Sequence, residues 1–388
     1  MEMNFKKKAL LSAVLLASAM ASASANAAGT ISFGEDKSIS VGFGFINSYN
    51  SIEDSAANGK DRSNDFTLDS ARLYLSASFN KYIKGMLNTE KSGGNDTFQV
   101  IDANVQFELT PNVAIWAGRF LSPSDRANMA GPYYSMGGNY WSNIASRYGW
   151  NGGIIGRDEG VAVVGNALDN KLSYSFGAFE GDNIFKFSNV GARSESMGSK
   201  DNLMYAGRLQ YNFWDAEPGY YGTGNYFGTK DILAIGVAGR TKKDGVVSTT
   251  PGVVGDYTSY SVDFLLEKKG VGPGTPSFEA AYYDYDTDNV FLGEQGQAYS
   301  TGAGYLFDQK VGWGQFMPFV RYQKFAADGA TDASSVNTTG GVDTKKFEIG
   351  MNYVMQPYNA LITASYGDTK ITGQKSIDSL YVALQLQF

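Results

Sequence analysis

The 388-residue chain contains no cysteine and no histidine. Without thiols it has neither a disulfide framework nor thiolate metal ligands. Without imidazole it lacks Ser/His and Cys/His nucleophilic dyads, the common zinc sites and the usual proton shuttle near neutral pH. Carboxylate and Ser/Lys chemistry remain, but no such cluster stands out, so the chain reads as a non-enzyme with no catalytic residues, no metal and no cofactor. Beyond the first 27 residues no stretch approaches the about 20 uninterrupted apolar residues of a membrane-spanning helix.

The first 27 residues have a different character. Lys6, Lys7 and Lys8 precede an apolar run from Ala9 to Ala21, and small residues then lead to Ala25-Asn26-Ala27. This is the pattern of a secretory signal with an A-x-A cleavage site, too short to anchor in a bilayer. Residues 28–388 are expected to be the exported protein, a single domain. Removing the signal takes away three lysines and one glutamate, which leaves 29 basic and 38 acidic residues and a net charge of −9. That balance argues against a nucleic-acid partner.

Aromatics make up 14% of the sequence, with 25 Tyr and 24 Phe, and there are 47 Gly. A soluble all-β protein shares that composition, so alternation has to decide. The last ten residues set Leu380, Val382, Leu384, Leu386 and Phe388 against Ser379, Tyr381, Ala383, Gln385 and Gln387. Two-faced runs of this kind recur about sixteen times, mostly near the ~9–11 residues that a tilted strand needs to cross a bilayer. Arg, Asp, Glu, Asn and Gln share the small-residue face, and Phe79, Phe107, Phe213, Phe307, Tyr353 and Phe388 would form an outward girdle at one height. A soluble barrel inverts these faces and has no reason for a girdle. The fold class is therefore all-β: a transmembrane antiparallel barrel of about 16 strands, with short periplasmic turns and longer extracellular loops, in a bacterial outer membrane. The oily face meets lipid, and the polar face lines a water-filled channel.

By parity the pore-lining set includes Arg72, Lys84, Asp102, Arg119, Arg208, Arg240, Asp263 and Arg321. A two-residue turn at Thr110-Pro111 sets Asp102 opposite Arg119 as an ion pair, and a turn at Asn80-Lys81 leaves Arg72 close to Glu90. The longest outside segment, 122–158, is aromatic and too long to be a passive connection. It is the candidate constriction loop, with Asp125, Arg126, Arg147, Arg157, Asp158 and Glu159 contributing charge; a lid packed over the rim is the alternative. Residues 214–230 break the pattern, being long and aromatic where a tight periplasmic turn is expected: either this is an unusual periplasmic loop or the strand topology differs there. Pro318 lies inside a predicted strand and should produce a bulge or irregularity. Asp284–Asn289 starts like a calcium loop but lacks the glycine and the final glutamate, so it reads as a solvated acidic loop.

The block Gly118-Arg119-Phe120-Leu121-Ser122-Pro123-Ser124-Asp125-Arg126-Ala127-Asn128, with Gly131-Pro132-Tyr133-Tyr134, Gly156-Arg157-Asp158, Gly160-Val161-Ala162-Val163 and Gly177-Ala178-Phe179-Glu180-Gly181, resembles a family of proteobacterial outer-membrane porins. That family is loosely grouped with the phosphate-selective porins O and P. The resemblance implies a sixteen-stranded barrel, commonly a homotrimer, that passes small hydrophilic solutes. Phosphate-selective members carry dense Arg and Lys ladders, whereas the inward charges here are mixed, so that selectivity is not carried over. The expected partners are outer-membrane lipid and small hydrophilic solutes or ions moving by passive diffusion. The competing readings are a plugged structural or adhesive barrel and a sheath around a partner protein.

Overall fold

The computed structural model describes residues 29–92, 98–137, 144–147, 156–181, 200–247, 254–290, 295–328 and 342–388. The signal-like segment 1–27 lies outside them. Sixteen long strands run β1 (Lys37–Ile52), β2 (Asp65–Asn80), β3 (Ile83–Ser92), β4 (Gln99–Thr110), β5 (Val113–Leu121), β6 (Arg157–Ala167), β7 (Leu172–Phe179) and β8 (Met204–Asn212). They continue as β9 (Ile232–Val247), β10 (Val254–Glu267), β11 (Gly274–Asp286), β12 (Gly296–Phe307), β13 (Gly314–Ala327), β14 (Thr344–Gln356), β15 (Ala360–Ile371) and β16 (Ile377–Gln387). Each pairs antiparallel with the next, and β16 pairs with β1 from Ser379↔Ile52 to Gln387↔Gly44, so the sheet closes on itself and has no open edge. A short arm, Gly29–Gly34, pairs with the start of β1 on the edge that β16 occupies further along.

The faces are disposed as alternation requires. Leu380, Val382, Leu384 and Phe388 are exposed on the outside, while Gln385 and Gln387 are buried inside. The girdle residues Phe79, Phe107, Phe213, Phe307 and Phe388 are all exposed, and Tyr353 is half-buried; Phe79, Phe107 and Phe307 lie beside tight connections, Phe213 beside the long one that precedes β9, and Phe388 at the end of β16. Arg72 and Arg208 are only 8% and 7% exposed, pointing into the bore. The apolar side chains that pack together do so around segments inside the ring, such as the cluster of Trp116, Phe120, Phe179 and Tyr220.

Pro318 produces no bulge. The pairing of β13 with β14 runs through Pro318↔Met351 without a shift, whereas the pairing with β12 ends at Gly304↔Phe319. The residue that cannot donate sits where the ladder on that side has already stopped, which removes the reason for an irregularity.

Candidate channel lumen

The inward charges of the wall are placed by register. In the β2–β3 hairpin the bulge between Ser78 and Asn80 brings Arg72 directly opposite Glu90, and the two form a buried ion pair. Tyr133 lies beneath the Arg72 guanidinium at 5.2 Å, a cation–π contact. Lys84 pairs with Glu108 at 3.0 Å, and Arg321 with Glu348 at 2.6 Å. Arg208 grips Asp263 with two bonds of 2.5 and 2.9 Å. Arg240 donates to Ser122 at 2.6 Å. Bidentate, charge-assisted bonds of this kind fix geometry as well as neutralising charge.

The β4–β5 hairpin corrects two expectations. A bulge between Glu108 and Thr110 pairs Ala103, not Asp102, with Arg119. A slip of one residue moves a side chain to the other face. On β5 Arg119 has the opposite parity from the buried Trp116 and Phe120; it is partly exposed and bonds Glu159 through Nε at 2.5 Å rather than Asp102. Asp102 instead accepts from Asn88 at 2.8 Å and from the Tyr221 hydroxyl at 3.1 Å, with Arg157 Nε 3.5 Å away. The predicted loop also ends earlier than 158, because Arg157, Asp158 and Glu159 begin β6. Arg157 and Asp158 are buried, Asp158 accepting from the Gly181 N–H at 2.7 Å, while Glu159 is half exposed and pairs with Arg119.

The described part of the connection between β5 and β6 lies inside the ring. Asp125 caps the short helix α1 (Arg126–Ala130) by accepting from the Asn128 N–H at 3.2 Å. It also accepts from Ser146 and Tyr283, each at 3.1 Å. Asp125 belongs to this connection and not to a wall strand; burial, followed by the neighbouring Asp263 charge, pushes its carboxyl up to about 6. Inward side chains reach the segment from many directions: Ser70 of β2 to Tyr133, Arg208 of β8 to the Ser124 carbonyl, Asn352 of β14 to Met136 and Gln385 of β16 to Tyr133. Arg147 donates its N–H to the Tyr285 hydroxyl at 3.0 Å and stacks over Phe325 at 3.7 Å. Residues 138–143 and 148–155 of the predicted constriction loop lie outside the described residues.

A second segment enters from the opposite rim. The connection between β8 and β9, the one that breaks the short-turn rule, is not a strand assigned out of place: β8 and β9 pair directly from Asn212↔Ala234 to Met204↔Lys242. Its residues fold up into the bore. Glu217 receives both Nη atoms of Arg126 at 2.8 and 2.9 Å, and Arg126 Nη1 also donates to the Thr223 carbonyl at 2.7 Å. Arg126 thus joins Glu217 to Asp263, whose Oδ1 is 3.5 Å from its Nε, in a buried chain of alternating charge. A buried charge is tolerated only when it is paired and hydrogen-bonded in this way. Glu267, fully buried on β10, accepts the N–H groups of Tyr226 at 2.9 Å and Gly228 at 2.5 Å.

The two segments leave space against one wall. A cleft open to solvent lies between Ser40, Arg72, Ser76, Asn88 and Asp102 on the β1–β4 side and Met129, Tyr134 and Tyr221 on the other. Its charges are balanced, since Arg72 faces Glu90 and Arg157 faces Asp102. Parity along β10 puts Glu267 on the inward face but gives it no partner; for Glu217 and Tyr221 the signal in the sequence is the anomalous length and aromatic content of 214–230.

No protein-family model matches the chain, and no curated protein is found similar to it. Solved structures do match in fold. The anion-selective porin from Comamonas acidovorans superposes with a TM-score of 0.58 at 12% identity, covering 91% of this chain and all of that one. OmpF of Salmonella typhi gives 0.59 at 12% identity over 93% of this chain and all of that one. OprB of Pseudomonas putida gives 0.60 at 9% identity, covering 90% and 94%. At such identities the likeness establishes one thing, that this chain shares the fold of those proteins.

Proposed function

We propose that the chain is a bacterial outer-membrane porin that passes ions and small hydrophilic solutes by passive diffusion. One observation carries the reading: a ring of sixteen strands with no open edge exposes Leu, Val and Phe outside and keeps Arg, Asp and Glu within. In hydrocarbon every backbone polar group must be paired, and a closed ladder meets that demand while keeping charge next to water. The route runs along the β1–β4 wall past Ser40, Ser76, Asn88 and Asp102. Its paired charges favour weak discrimination between anions and cations, since a pore selects by its unbalanced local field. Asp125, Arg126, Arg147, Arg157 and Asp158 act here by placing the narrowing segment and its neighbours. Grouping with the phosphate-selective porins rests on the resemblance of the 118–134, 156–163 and 177–181 stretches, of which 118–134 is the most specific, and a homotrimer on the same resemblance. The reading assigns no catalysis.

Purified protein in a planar bilayer should give stable ohmic steps, with a reversal potential near zero across a salt gradient. The extent to which its own segments occupy the bore favours a plugged structural barrel as the second reading, and a silent bilayer would select it. A sheath around a partner protein is disfavoured for the same reason, because the chain itself fills the space that a partner would need.

A further inference from the structure

We propose that the periplasmic-side connection between β8 and β9 is the inner half of the constriction, with Tyr221 the solute-facing residue that limits the aperture and Glu217 the positioning residue that holds it there. This rests on the porin reading, and adds to it a second, independent narrowing element.

The connection is pinched at its base. Phe213 N–H donates to the Leu233 carbonyl at 2.8 Å, Asp215 N–H to the Asp231 carbonyl at 3.0 Å, and Lys230 Nζ to the Ala216 carbonyl at 2.8 Å. A closed base leaves residues 216–230 to project from the rim as one body. A connection of that length lying in water would be exposed, yet Glu217, Tyr220, Asn225, Tyr226 and Phe227 are all buried. The body meets the outer segment through backbone: Gly222 N–H donates to the Met129 carbonyl at 3.2 Å, and Gly224 and Asn225 N–H donate to the Tyr134 carbonyl at 2.8 and 3.1 Å. The approach is close enough that a Cβ on Gly222 would stand 3.2 Å from the Met129 Cβ. Tyr220 anchors on the Leu121 carbonyl, and Tyr221 reaches on to Asp102 at 3.1 Å, across the bore from its own strands. Tyr221 and Gly222 therefore line the remaining cleft opposite Ser40, Ser76 and Asn88, and the distance from that wall to the Tyr221 ring sets the width. Of the bonds that keep the ring there, the paired Glu217 carboxylate is the one that binds this body to the outer segment by charge.

The test uses the full-length protein in planar bilayers, with heat-modifiable gel mobility as the check that each barrel is folded. Tyr221→Ala should raise single-channel conductance by at least about twofold, because a narrow section dominates the resistance of a pore. It should also admit larger neutral sugars in a liposome-swelling assay. Glu217→Ala should move conductance in the same direction as Tyr221→Ala. Because the chain has no cysteine, Met129→Cys with Gly222→Cys gives a single possible disulfide, at a Cβ separation close to the roughly 3.5–4.5 Å such bonds require. The cross-link should form in the folded barrel and leave conductance unchanged by reductant. A folded Tyr221→Ala barrel with wild-type conductance and size limit, a pair that does not cross-link, or a cross-linked channel that opens only on reduction would each overturn the proposal. A wild-type protein that gives no steps overturns instead the porin reading, and the cross-link still reports independently whether the connection lies in the bore.

Discussion

Two segments leave the wall for the bore, one from each rim, and they are held by different means. The outer segment, from Ser122 to Met136, is tied by many wall side chains, among them Ser70, Arg208, Arg240, Tyr283, Asn352 and Gln385, so its position is the sum of modest hydrogen bonds from strands around the ring. The inner connection depends on two buried carboxylates, Glu217 and Glu267, and on backbone contact with the outer segment. Distributed anchoring tolerates the loss of any one bond. Anchoring through buried charge does not, because removing one partner leaves the other desolvated and unpaired. Asp263 is the exception that serves both: it holds the Arg126 backbone N–H at 3.1 Å and neutralises Arg208, which in turn holds the Ser124 carbonyl.

That contrast is broken most severely at Asp263. Asp263→Ala leaves Arg208 and Arg126 with one carboxylate between them and should cost about 3–5 kcal/mol, the range for a broken buried pair. The urea midpoint of the folded gel form measures it, and a midpoint within error of wild type would show that the charge chain does not hold the bore together. Glu267→Ala removes the acceptor of the buried Tyr226 N–H and the partly buried Gly228 N–H and should cost about 1–3 kcal/mol, the range for one orphaned buried group. Its effect should fall on the inner connection, seen as new protease cleavage within 216–230, with residues 122–136 still protected.

Asp125 tests the outer segment alone, through pH. Its folded carboxyl is raised to about 6 from an ordinary value of 3.8, so the ionised form is the disfavoured one in the folded protein. The resulting penalty is fully present above about 6 and is relieved as pH falls through 6 toward the ordinary value. For this group stability should therefore rise between pH 7 and pH 5. Asp125→Asn, which keeps an oxygen acceptor for the cap, should flatten that rise; a slope unchanged in the variant would exonerate Asp125. The smallest effect belongs to Arg119 and Glu159, which touch neither segment. Either one changed to Ala should cost under about 1 kcal/mol, as expected of a partly exposed pair, and leave conductance at the wild-type level.

Parity explains how far the sequence could be read. Alternation identifies sixteen strands and, for most of them, which face is oily, because a period of two is a local property of the chain; β5, with Trp116 and Phe120 buried inside, is where it fails. It places Arg72 beside Glu90, and the same arithmetic applied one hairpin later puts Asp102 beside Arg119. Both hairpins carry a bulge near the turn, and each shifts the pairing sum by one. For Arg72 and Glu90 the shift brings two same-face residues into line. For Asp102 and Arg119 it makes direct pairing impossible. The extra residue of a bulge leaves no mark in the alternation of side chains, so it decides register without being legible.

The outer segment was noticeable by its length, and the inner connection by its mismatch with a rule about turns. Neither signal gave the partners. Arg126 meets Glu217 across 91 positions, Tyr221 meets Asp102 across 119, and Asp125 meets Tyr283 across 158.

The sequence by itself determined the solvent of most faces, since a strand's alternation of apolar and polar side chains is fixed locally whether or not the ring has closed. Only the tertiary structure decided how the bore is occupied. Ring closure brings remote strands within reach of one another, and a buried arginine then takes whichever carboxylate that geometry delivers, at a separation along the chain that no local pattern encodes.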